Sequence, residues 1–492
     1  MSTRTGNAGT VRSMGLAGMM LVLLAATFVN AQPKPAPTLP DTEAGKKVAG
    51  WIAAFNTGDD KAMRQYFSDN MAPEALARRP IEERLGMNRD MRAAFGTVEL
   101  RKVVQAGESL VTVVFAIREG FVKLSFELEP QAPHRLLRIF GEPTDDPDLP
   151  PPPKVSEPEA VAAVEKAVAE AVAADQFSGT VLIARDGKPL FLKAWGLASV
   201  EHNAPNRIDT KYNLGSINKI FTRLAIGRLV QDGKLSFGDT LGKILPDYPN
   251  ADARQKVIVR HLLEMRSGIG DFFGERFEAT PKNRFRTNAD YLPMFAADPL
   301  AFEPGSRRLY SNGGYAVLGA IIEKISGQSY YDFVREHIFL PAGMTGTDSF
   351  EADVPVPNLA EGYTRLWGPG EKSMDGPRRK NIYSRPARGS AAGGGYSTAE
   401  DLLRFTNAVL GDKLLSPPYT DWYLSGVEPG AGTPPPRAQG DLGWSGGAPG
   451  INAVLQADLA TGYTVIVLGN YDPPAAGNVA KTIRRILSGI TK

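Results

Sequence analysis

Four prolines in a row, Pro150 to Pro153, constrain this chain more than any other stretch. Proline fixes φ and removes a backbone donor, so such a run enters neither a helix interior nor a central strand. It reads as an extended, semi-rigid linker over residues 143–158. The 492 residues therefore divide into two bodies, 42–142 and 159–490, a division that the length alone allows. A net charge of +2 gives no reason to expect nucleic acid as a partner. Cysteine is absent, which removes disulfides, thiolate metal sites and cysteine nucleophiles.

Arg4 and Arg12 flank the start of the chain, and Met14 to Val29 is a short apolar run. Val29-Asn30-Ala31 resembles a cleavage site. The run is shorter than the ~20 residues a spanning helix needs. Residues 1–31 are therefore expected to be a signal peptide and 32–41 a disordered mature N-terminus. The protein is expected to be exported, periplasmic or secreted, with no stable membrane anchor after processing.

In the first body Val48, Trp51, Ile52 and Phe55 recur at helical spacing, and Asn56-Thr57-Gly58 ends that helix. Met63, Tyr66 and Phe67 predict a second, short helix. Val122, Leu124, Phe126 and Leu128 alternate with polar residues, as in a half-buried strand. Segments 109–117 and 135–140 have the same character. This order, with Ala53-Ala54-Phe55-Asn56-Thr57-Gly58-Asp59, resembles the cone-shaped NTF2-like α+β domains. The resemblance implies an accessory or dimerising module, through which the chain would form a homo-oligomer.

The second body opens with an alanine-rich helix, 159–174. Two apolar runs follow, Thr180 to Ala184 and Leu190 to Ala194, joined by Asp186-Gly187, a hairpin signal. The far end repeats the pattern with Ala453 to Asp458 and Tyr463 to Leu468 around Thr461-Gly462, then a last helix near 478–487. Strand pairs at both ends with helices between predict one antiparallel sheet completed by both termini, an α+β fold with a helical insertion.

Three elements of this body carry chemistry. Ser216-Ile217-Asn218-Lys219 places a hydroxyl and an amine one helical turn apart. A serine is a weak nucleophile until a base takes its proton, and a deprotonated lysine can be that base. Tyr310-Ser311-Asn312 lies 94 residues after Ser216 (310 − 216). A tyrosine with a pKa lowered by the lysine would pass protons, and an asparagine can hold two partners through its amide. A second Tyr-x-Asn, Tyr248-Pro249-Asn250, reads as a plain turn. Gly443-Trp444-Ser445-Gly446-Gly447-Ala448-Pro449-Gly450 precedes a strand. Its glycines allow close backbone approach, and an N–H there would join that of Ser216 in an oxyanion hole.

In this order and spacing the three elements resemble the serine β-lactamase-like hydrolases: class C β-lactamases, D-alanyl-D-alanine carboxypeptidases and related esterases. Val259-Arg260-His261-Leu262-Leu263 with Ser267-Gly268-Ile269 and Asp271, Phe302 to Gly305, and Gly393 to Ala399 extend the resemblance over nearly all of the second body. It implies acyl transfer through an acyl-enzyme on Ser216, with Lys219 and Tyr310 as acid/base groups. Asn312 would orient and Gly447 would help bind the oxyanion. It requires no metal or cofactor. The partner would be a small ester or amide substrate.

This sequence departs from the resembling enzymes at Trp444, where a lysine or histidine usually binds the substrate carboxylate. Tryptophan offers one neutral N–H and an apolar face, so a carboxylesterase-like activity is expected, with Trp444 as a substrate contact. Two other readings stay open here: β-lactamase or carboxypeptidase activity, and a non-catalytic penicillin-recognising scaffold. Gly443-Trp444-Ser445-Gly446-Gly447 also fits the G-x-S-x-G nucleophile elbow. That elbow needs a following helix and a later histidine, and His134, His202, His261 and His337 all precede Ser445.

Overall fold

The computed structural model describes residues 37–491 except 119, 145 and 367–375. The expected signal peptide and residues 32–36 of the expected disordered segment lie outside the described residues. Among those described, no helix is long and apolar enough to cross a membrane. The chain forms two compact units, divided between Pro150 and Pro151.

The first unit is four helices followed by four strands. Helix α1 (Glu43–Thr57) starts where the Thr42 hydroxyl accepts the N–H of Gly45, and stops at Gly58, which takes a left-handed conformation. Helix α2 (Asp60–Asn70) follows, then α3 (Pro73–Arg78) and α4 (Ile81–Phe95). Strands β1 (Glu99–Ala106), β2 (Leu110–Ile117), β3 (Gly120–Leu128) and β4 (Leu136–Thr144) pair antiparallel in sequence order. Val122, Leu124, Phe126 and Leu128 of β3 point inward. Trp51 stacks on Phe55 at 4.6 Å and meets Phe126 edge-on. Three elements went unread in the sequence. Helices α3 and α4 present weak apolar periodicity, and β1 is largely exposed.

Three boundaries are corrected. Leu39 packs against the core of this unit, and Pro40 sits against Gly45, so 37–41 belong to the folded body. The linker begins later than residue 143, because Phe121 pairs with Thr144 in the sheet. It also ends earlier, because Ser156 and Glu159 cap a helix that starts at Glu157.

That helix, α5 (Glu157–Ala173), opens the second unit and leads into β5 (Gly179–Arg185) and β6 (Lys188–Trp195). The chain then builds a helical region that includes α6 (Lys219–Gln231), α7 (Asn312–Ser326) and α8 (Ala399–Leu410). It returns through β7 (Asp441–Ala448), β8 (Ile451–Asp458) and β9 (Tyr463–Gly469), and ends in α9 (Ala475–Leu487). The five strands form one antiparallel sheet in the order β7-β8-β9-β5-β6. Both ends of the body thus complete one sheet, as the paired apolar runs predict.

The central strands are apolar throughout because both of their faces are covered. Val181 and Ile183 of β5, with Val465 and Val467 of β9, pack under α5 and α9. Leu182, Ile466 and Leu468 face the larger core, where Phe221 of α6 lies 5.0 Å from both Phe339 and Phe405. The glycine-rich segment around Trp444 is strand β7, at the sheet edge, where the sequence marks only a turn before a strand. Glycine lowers strand propensity, so its pattern hid the strand.

Candidate active site

The sequence places Ser216 at the start of a helix. The structure puts it one step earlier, in a single 3₁₀ turn, Gly215–Asn218, with α6 beginning at Lys219. Gly215 takes φ +49°, a conformation that disfavours a side chain. A Cβ there would meet the Gly447 nitrogen at 3.0 Å. A Cβ on Gly446 would meet the Leu214 carbonyl oxygen at 1.9 Å and the Ser216 nitrogen at 2.9 Å. The free edge of β7 therefore lies backbone to backbone against the serine turn, and only glycine permits it.

Lys219 is fully buried beneath Ser216. Its Nζ stands 3.2 Å from Ser216 Oγ, 2.7 Å from Asn312 Oδ1 and 2.5 Å from the Ala392 carbonyl oxygen. Burial pushes its pKa down to about 7, and the Asp271 carboxylate opposes that shift. A neutral amine has two hydrogens and one lone pair. Asn312 Oδ1 and the Ala392 carbonyl can only accept, so they take the two hydrogens. The lone pair is left for the Ser216 hydroxyl proton.

The Asn312 amide is fixed in one orientation. Its Nδ2 donates to Asp271 Oδ2 at 2.7 Å and its backbone N–H to the same oxygen at 3.2 Å. A carboxylate accepts only, so Asp271 fixes the amide with Oδ1 toward Lys219. Asp271 stands in the sequence only as part of the motif around Ser267. The separation of 41 positions from Asn312 leaves no local signal of the contact.

Tyr310 donates to Ser216 Oγ at 2.6 Å. The expected lowering of its pKa is not met: burial raises it, only partly offset by the bond to Ser216. Nearly half of the residue is open to the cleft (46% exposed). A protonated Tyr310 is a donor at rest, so the lone pair of a neutral Lys219 is the acceptor within reach of the Ser216 proton. The polar chain then has one direction, from the Tyr310 hydroxyl through Ser216 and Lys219 to Asn312, with Asp271 holding the far end.

Residues 164–489, more than half of the chain, match the Beta-lactamase family. The chain belongs to the beta-lactamase family. It is 39% identical over 174 residues to penicillin-binding protein 4* of Bacillus subtilis (strain 168), covering 35% of this chain and 38% of that protein. It is 32% identical over 186 residues to protein flp of Staphylococcus aureus (strain MW2), covering 37% of each. The chain thus spans little more than a third of the length of these relatives. Its fold is similar to a penicillin binding protein from Bacillus halodurans, with a TM-score of 0.57 at 28% identity, covering 66% of this chain and 98% of that one.

In this beta-lactamase-family body Ser216, Tyr310, Asn312 and Gly447 line one cleft of about 510 Å³. Phe272, Phe273, Tyr291 and Phe350 give it aromatic walls, and Asn381 to Ser390 supply much of the remainder. Trp444 is not among the lining residues. Alternate residues of a strand share a face, and Leu442 and Trp444 turn toward the main core, where the half-buried indole packs. The expected contact between Trp444 and substrate is therefore corrected, while the absence of a cation at that position stands. Ser445 lies on the exposed face of β7, ahead of a turn into another strand, so it is no nucleophile elbow. His261 caps its own helix, its Nδ1 accepting the Ile258 N–H at 3.5 Å. Asn250 of the second Tyr-x-Asn caps a short helix by accepting from the Ala253 N–H at 2.9 Å.

Proposed function

We propose that this chain is an exported serine hydrolase that cleaves carboxylic esters through an acyl-enzyme on Ser216. The observation that carries the reading is the single direction of the polar chain around a buried, neutral-leaning Lys219. Ser216 Oγ attacks the carbonyl carbon as its proton passes to Lys219 Nζ. The Ser216 and Gly447 N–H groups receive the developing oxyanion, whose loss of one donor typically costs about 10²–10³ in rate. The tetrahedral adduct collapses, the C–O bond breaks, and the leaving oxygen takes a proton relayed from Lys219 through Tyr310. Water then enters, and the same groups act in reverse to release the acid.

Ester preference rests on two features. Position 444 offers no cation where the resembling enzymes hold a penicillin-type carboxylate, and a charge-assisted hydrogen bond is worth roughly 1.5–3 kcal/mol. The cleft also presents aromatic walls beside Ser216. 4-Nitrophenyl hexanoate is therefore expected to be hydrolysed with a higher kcat/KM than nitrocefin. Efficient nitrocefin turnover with little ester cleavage would overturn the ester reading in favour of β-lactamase activity.

For the first unit the helix-then-antiparallel-sheet order supports an NTF2-like accessory or dimerising module. Residues 156–492 alone should then keep ester hydrolysis. A folded but inactive 156–492 would show that the first unit serves the chemistry.

A further inference from the structure

The cleft has a second polar corner, on segment 381–396, that the chemistry at Ser216 does not use. Two arginines line the cleft there, Arg385 and Arg388. Arg388 is committed. Its Nε donates to the Ser349 carbonyl at 2.8 Å, Glu351 stands 3.7 Å away, and the guanidinium lies 3.6 Å over the Tyr331 ring. Arg385 is not. Its side chain makes one hydrogen bond, Nη1 to the Tyr396 hydroxyl at 2.5 Å, and no described carboxylate pairs with it. A half-buried guanidinium has five donors in a planar fork and stays charged. Most of that capacity is unspent.

Asn381, 3% exposed, lies beside it in the cleft lining. Its Nδ2 donates to the Pro449 carbonyl at 2.8 Å, which fixes the amide and leaves Oδ1 without a donor. Buried polar atoms in native proteins are nearly always paired. A carboxylate only accepts and cannot meet that oxygen, so the group at this corner with capacity for an anionic guest is the Arg385 fork.

The corner is close enough to serve a substrate held at Ser216. Tyr396, which holds Arg385, pairs across the backbone with Asn213, three residues before the serine. Paired strands run about 4.8 Å apart. We propose that Arg385 binds a carboxylate carried by the ester substrate, a role separate from that of the cation missing at position 444. The inference rests on Ser216 being the acylated residue. It narrows the substrate from a neutral ester to an anionic one.

The test compares substrates matched in length. 4-Nitrophenyl adipate carries a free carboxylate on its acyl chain, and 4-nitrophenyl hexanoate does not. 4-Carboxyphenyl hexanoate and phenyl hexanoate make the same comparison on the leaving side. In wild type the anionic member of one pair should be preferred in kcat/KM. In Arg385→Gln that preference should fall about 10–100-fold, the range of one charge-assisted contact. Arg385→Lys, which keeps the charge and loses the fork, should fall between them. A preference unchanged in both pairs would overturn the proposal. Fluorophosphonate labelling separates this from failure of the ester reading. If no ester is cleaved, adipate should still slow labelling of wild type and not of Arg385→Gln, and equal protection of both would sink the assignment.

Discussion

Two walls of one cleft differ in how their polar atoms are spent. On the Ser216 wall each is matched: Tyr310 donates to Ser216, Lys219 gives its hydrogens to Asn312 and Ala392, and Asp271 holds Asn312. On the 381–396 wall Arg385 keeps most of its donors free and Asn381 keeps an unmatched oxygen. A closed network holds its members in one protonation pattern and one geometry, as chemistry on a bound substrate requires. An open one is completed by what binds. The contrast is the ground on which we propose catalysis for the first wall and selection for the second.

The largest effect should come from removing the base. Lys219→Ala is expected to lower kcat about 10²–10⁴-fold, the usual range for a positioned acid/base group. A loss confined to KM would place Lys219 on the selecting wall and break the contrast. Gly446→Ala comes next. The added methyl would lie 1.9 Å from the Leu214 carbonyl oxygen, so β7 must move off the serine turn and carry the Gly447 N–H with it. A loss of about 10²-fold is expected with the fold retained by circular dichroism. Unchanged activity would mean that β7 contributes no oxyanion donor.

Asp271→Asn should cost about tenfold, since the amide of Asn312 exchanges a charged carboxylate acceptor for a neutral amide that can turn its NH2 toward it. It should also move the pH profile. Lys219 must be neutral to accept the serine proton, so kcat/KM of wild type is expected to fall as pH drops through about 7. Asp271 raises the Lys219 pKa by its charge. Its removal should shift that acidic limb to lower pH. A limb that stays put, with the same loss of rate, would make Asp271 a structural support only. The Arg385 variants, read through substrate preference alone, should show the smallest change in rate toward a neutral ester.

Much of this was legible before the fold. The hairpin runs 180–194 and 453–468 announced the sheet because strands covered on both faces lose their polar alternation. Ser216 and Lys219 were legible because a helical turn brings them together locally, and Tyr310 with Asn312 because a compact motif follows a proline–glycine turn. The remainder depends on contacts between distant segments. Asp271 reaches Asn312 across 41 residues. Trp444 turned inward once β7 took its place in the sheet, since strand alternation paired it with Leu442. The rise in the Tyr310 pKa follows from burial, which composition cannot report. Arg385 lies in a stretch with no periodic signal, and its lack of a partner is a property of the folded surroundings.

The most direct test is covalent. Wild-type protein treated with a fluorophosphonate probe should gain one adduct by intact mass, located on Ser216 by peptide mapping, and Ser216→Ala should gain none. An adduct on Ser445 or elsewhere, or equal labelling of Ser216→Ala, would contradict the assignment of Ser216 as the nucleophile.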